Sequence, residues 1–128
     1  MQKVLDQLQQ ATVMLTQGDP IKDRLAAAYT RHLESIDAGD IPERYRAQFI
    51  ELHAVLHRER PLPRESVVRA SVRKLSNEEA ARYAALVVQA FTALARAGSP
   101  MVVQRKRKLQ TGAIINVSPI VKLFANDG

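Results

Sequence analysis

Apolar side chains recur at helical spacing in four stretches of the chain and lose that spacing in two others. In residues 2–17, Leu5, Leu8, Ala11, Thr12 and Leu15 follow steps of three and four, widened by Val4 and Met14, and Gly18 ends the run. Asp19-Pro20 restarts it, with an acid at the N-cap and a proline at the first helical position, where its missing N–H costs nothing. The second predicted helix, about 20–36, sets Ile21, Leu25, Ala28, Tyr29, Leu33 and Ile36 on one face and closes at Asp37-Ala38-Gly39. Asp40, with Pro42 and Glu43 just inside, opens a third over about 41–57, seamed by Tyr45, Phe49, Leu52 and Leu56. Short connections predict these three as antiparallel neighbours.

The most consistent pattern is Ser76 to Gly98. Ser76 and Glu79 read as an S-x-x-E capping box, and Gly98 as the stop. Between them, Glu78, Arg82, Gln89, Thr92 and Arg96 make a narrow polar stripe on an otherwise apolar circumference of Ala, Leu, Val, Tyr83 and Phe91. Such a helix needs enclosure, so 77–97 is predicted as the central helix, with Leu86, Val87, Phe91 and Leu94 deeply buried. Its alanine pairs suit either a tight seam, within the chain or across a dimer, or simple helix propensity.

Two stretches depart from helical spacing. Arg58-Glu59-Arg60-Pro61-Leu62-Pro63 reads as an extended connector. In 66–75, Val68, Ala70 and Val72 alternate with Arg69, Ser71 and Arg73, which argues for a short strand, although one helical turn before Ser76 fits ten residues equally. Beyond Pro100, MVVQRKRKLQ, TGAIINV and PIVKLF are rich in β-branched residues around a Thr111-Gly112 turn signal, and suit a hairpin or an arm ordered by a partner. Together these predict one mostly α domain over 1–128. It is an antiparallel four-helix bundle-like arrangement (about 2–17, 20–36, 41–57 and 77–97), with an extended connector 58–75 and a short basic, extended or β C-terminal extension over 99–128.

Composition adds limits. An apolar fraction of 46% and a charged fraction of 25% over 128 residues suit an ordinary globular domain. The lack of cysteine excludes disulfides, thiolate chemistry and cysteine-ligated metal. No secretory signal or membrane-spanning run is evident, so the expected compartment is the cytoplasm.

The net charge of +6 is segregated: residues 58–75 and 101–128 each carry an excess of four positive charges, and 1–57 is net negative. Arg69, Arg73 and Lys74, with Arg105, Lys106, Arg107 and Lys108, are therefore candidates for an anionic partner such as nucleic acid. Aromatic interleaving of the base-stacking kind is missing from the 105–108 cluster.

Three histidines complete the candidates. His53 and His57 stand at the i, i+4 spacing that can hold a metal, and His32 could supply a third ligand. The H-E-x-x-H glutamate is missing, and the expectation is no metal and no cofactor. Tyr29, Tyr45, Tyr83, Phe49 and Phe91 fall at core spacing. With no glycine-rich phosphate loop and no nucleophile elbow, no catalytic residue is predicted. The expected function is a non-catalytic helical interaction or regulatory module, a homodimer with a possible protein partner and no membrane association. The alternative is an electrostatic nucleic-acid binder.

Overall fold

A computed structural model describes residues 2–98, and these are mostly helical, 73% of them in helix, with no strand among the described residues. Five α-helices follow in order: α1 (Gln2–Leu15), α2 (Ile21–Ala28), α3 (Glu43–Val55), α4 (Val67–Arg73) and α5 (Asn77–Ala97). A π turn, Tyr29–Leu33, continues α2, and a short 3-10 turn, Ala38–Asp40, precedes α3. The compact unit extends to Leu94, and the end of α5 from Ala95 belongs to a second unit.

The core centres on α2 and α3. Leu25, Tyr29, Leu33, Phe49, Leu52 and Leu56 are all fully enclosed, joined by Leu8 and Ala11 of α1 and Val87 of α5. Leu25, Tyr29 and Leu33 recur every 4.0 residues, more than the roughly 3.6 of an α-helix, so a regular helix would rotate them out of line. The π turn takes up this excess, with Glu34 N–H donating to Tyr29 C=O at 2.9 Å. α1 is tied to that turn by Gln7 Nε2, which donates to His32 C=O (3.2 Å) and Ser35 Oγ (2.9 Å). At the other end of α1, Arg24 Nη1 donates to Leu15 C=O (2.5 Å), a cation on a helix C-terminus.

Caps account for several boundaries. The Ser76–Glu79 box is present in both halves: Ser76 N–H donates to Glu79 Oε1 (2.8 Å) and Glu79 N–H to Ser76 Oγ (3.0 Å). Asp19 and Asp40 do not cap. The N-caps are Pro20 for α2, one residue later, and Pro42 for α3, two residues later, both without a side-chain cap bond. Asp37 caps the 3-10 turn instead, its Oδ1 accepting from Gly39 N–H at 2.9 Å.

The expected extended connector 58–75 is corrected at 67–73, which is helical. Ser66 caps α4, its Oγ accepting from Arg69 N–H (3.0 Å). Val68 and Val72 are four apart, a spacing that suits both a strand and a helix. Leu75, seven from Val68, would lie on the opposite face of a strand but on the same face of a helix, and it is buried with both valines. Ser71, also buried, accepts from Glu59 N–H (3.1 Å) and so fixes the connector to α4.

The central-helix expectation is also corrected. Leu86, Val87 and Leu94 are buried, but Phe91 is only partly so, and Ala81, Ala85, Val88, Gln89 and Thr92 are exposed. Helix α5 buries one face, through Ala80, Leu86, Val87, Ala90 and Leu94. Among the described residues no helix is long and apolar enough to cross a membrane. The predicted β extension lies outside the described residues.

Candidate functional site

Three features carry chemistry: a histidine–tyrosine cluster, the basic segments, and the outward face of α5. The cluster forms where the π turn meets the C-terminal half of α3. Phe49 and His53 step by four along α3, a drift of about 40° on an α-helix, and His57 follows in the turn just past its C-cap, Leu56. Phe49 is accordingly buried, His53 half-buried and His57 exposed. Tyr29 stacks edge-on to both histidines, with ring centroids at 5.5 Å from His53 and 5.8 Å from His57, and Phe49 lies 5.1 Å from His53.

The hydrogen bonds assign the protons. His53 Nε2 faces Ile36 C=O at 3.1 Å, and a carbonyl only accepts, so Nε2 carries hydrogen. Nδ1 is then bare and accepts from the Tyr29 hydroxyl at 2.5 Å. Burial, with the Glu34 charge second, pushes the Tyr29 hydroxyl well above its ordinary pKa, so it remains a donor. His57 donates from both nitrogens, Nδ1 to His53 C=O (2.8 Å) and Nε2 to a Glu34 carboxylate oxygen (3.0 Å), as an imidazolium does. The backbone bond to His53 and then the Glu34 bond raise its pKa above the ordinary 6.5.

Every ring nitrogen of the pair is thus engaged, and neither histidine offers a lone pair to a metal or a substrate. Among the described residues no group of three or more His, Asp or Glu side chains gathers as a metal site, and His32 does not join His53 and His57. The cluster clasps the end of α2 to the end of α3. Because the folded state raises the His57 pKa, its contribution is complete below about pH 6.5 and lost as pH rises through the folded value. The melting temperatures of the parent and His57→Ala should therefore differ most below about pH 6.5 and draw together as pH rises above it. A gap that widens with pH would refute the imidazolium assignment.

The basic residues of α4 are largely committed to internal partners. Arg69 Nη1 pairs with Asp23 of α2 at 3.1 Å. Arg73 makes a two-pronged contact with Glu65, 2.9 Å from Nε and 3.1 Å from Nη2. Glu65 also accepts from Leu62 N–H (2.9 Å), and these bonds, that of Arg73 foremost, hold its carboxyl below the usual range. The same turn keeps Arg64 at φ 67°, a left-handed conformation unusual outside glycine. Lys74 is exposed at the C-cap of α4, and Lys22 Nζ donates to Arg73 C=O (3.1 Å). Arg105, Lys106, Arg107 and Lys108 lie outside the described residues, as does the condition that both basic segments share a face.

On α5, the angular positions of the side chains separate the two faces. At about 100° per residue, Phe91, Ala84, Ala95, Val88, Ala81, Thr92 and Ala85 fill an arc of roughly 120° opposite the buried one. Val88 is 39% exposed at its centre, and the half-buried Ala84 and Phe91 border the core. Glu78, Arg82, Gln89 and Arg96 form one polar edge of this arc. Val13, Ile50, Leu62 and Val67 are exposed elsewhere, but the arc on α5 is not interrupted by charge.

No protein-family model, curated protein or solved structure matches this chain. What it does must therefore be argued from its own surfaces. Sequence reasoning named Arg69, Arg73, His53 and His57, yet missed that acids occupy the first two and that Tyr29 and Glu34 complete the second pair. Glu34 and His57 are 23 residues apart, and no local pattern joins them.

Proposed function

We propose that this chain is a non-catalytic helical interaction module of the cytoplasm, self-associating, which docks through the outward face of α5. Its four longer helices serve as a bundle-like frame presenting that face. The observation that supports this reading is the uncharged arc of small and apolar side chains around the exposed Val88, on a helix whose other side is anchored in the core. Helix-on-helix recognition uses such a face, with anchors at steps of three and four. The commitment of Arg69 and Arg73 to Asp23 and Glu65 weighs against the nucleic-acid alternative, because paired cations release fewer counterions on phosphate binding.

A photo-cross-linking residue placed at Val88 in living cells tests the module, with Asp6, on the exposed side of α1, as the control. Adducts are expected at Val88 and not at Asp6. Equal or absent adducts would remove the reading. Binding to DNA or RNA that falls log-linearly with salt and is indifferent to Val88→Glu would favour the electrostatic alternative.

A further inference from the structure

We propose that the partner of the α5 face is a second copy of this chain, its own α5 lying antiparallel across Val88 about a twofold axis. This deepens the module reading and rests on it. The first argument is charge. Glu78 in the first turn and Arg96 in the last stand 18 residues apart, which returns them to the same side of the helix, on one edge of the apolar arc. In an antiparallel pair of identical helices the same edge of each meets, whereas in a parallel pair opposite edges meet. Glu78 of each copy therefore comes beside Arg96 of the other, twice per dimer. In a parallel pair this edge would meet the opposite, uncharged edge of the partner, and neither Glu78 nor Arg96 would find a counter-charge.

The second argument is size. A twofold at Val88 opposes residues whose numbers sum to 176. Val88 then meets itself, and Ala81 stands level with Ala95 of the other copy, both within about 20° of the seam line. The alanines of that pair, near either end of the seam, let the helices approach closely. The helix macrodipoles also run in opposite directions, which places Arg82 over the partner's last turn, where free carbonyls carry negative charge.

The seam from Ala81 to Ala95 is about 21 Å long. One helix face of that length buries less than the roughly 800 Å² per partner of a standard interface. The dimer is accordingly a reversible one, with a dissociation constant of order micromolar.

The chain has no cysteine, so single introduced thiols read the geometry directly. In the full chain, Val88→Cys should be joined to its copy by a short bis-maleimide. Ala81→Cys alone should not, because its copy is about 21 Å away along the seam, and Ala81→Cys with Ala95→Cys should. A parallel pair would link Ala81→Cys to itself and so overturn the arrangement. Glu78→Arg and Arg96→Glu should each weaken dimerisation several-fold in sedimentation equilibrium, and the double variant should recover it. Purely local helix destabilisation would make the double variant worse.

A monomer mass over two decades of concentration would remove the second copy as occupant, whether the chain's own C-terminal residues or another protein takes the face. If photo-adducts at Val88 then persist to a different protein, docking through α5 survives, and self-association falls together with this inference. If neither appears, both fail.

Discussion

Phe49→Ala should destabilise the chain by about 3–5 kcal/mol, the cost of lost aromatic burial plus the cavity left behind. Phe49, on α3, is fully enclosed and sits edge-on to His53. For a unit of about this size, that loss lowers the melting temperature by roughly 15 °C or more. Phe91→Ala should cost distinctly less, because Phe91 is only partly buried and lies at the border of the exposed arc. The two variants together locate the centre of the core. Equal losses, or a larger one at Phe91, would return that role to α5.

Tyr29→Phe should cost about 1–2 kcal/mol despite preserving shape and volume. Only the hydroxyl is removed, and its partner His53 Nδ1 is left without a donor beside Phe49. Switching the ring tautomer gives no escape, since a bare Nε2 would then face the Ile36 carbonyl. Urea titration should show a lower midpoint with an unchanged slope, because the surface exposed on unfolding is the same. A midpoint equal to the parent's would mean that the Tyr29–His53 bond contributes nothing. In the parent, Tyr29 should also ionise at higher pH than an ordinary tyrosine, visible in the phenolate absorbance.

The errors of the sequence reading have specific physical origins. Alanine counts as apolar in a periodicity, yet it is also the best helix former and is at home in water. Ala81 and Ala85 made α5 read as enclosed when they lie on its outer face. In 66–75, the four-residue step from Val68 to Val72 fits both periods. The discriminating residues were Ser66, a cap acting only on its own turn, and Leu75 at an odd step. The four-residue repeat of Leu25, Tyr29 and Leu33 was visible as a stripe, but an unbroken α-helix was assumed where a π turn was needed.

The sequence by itself determined that the described chain is helical and where most helices run, since period, proline, glycine and a capping box act over a few residues. The Ser76–Glu79 box illustrates this, both of its bonds lying within one turn. It also determined which residues could be core: the stripe from Leu25 to Ile36 is buried as its spacing requires. Only the tertiary structure decided what those faces meet. Arg69 finds Asp23, Tyr29 finds His53 and Glu34 finds His57, through approaches across 23 to 46 residues, and among the described residues α5 keeps one face uncovered. A periodic pattern states that a face is apolar or charged, but its neighbour depends on how the helices close on one another. That closure is set by the summed packing of the whole core rather than by any local stretch.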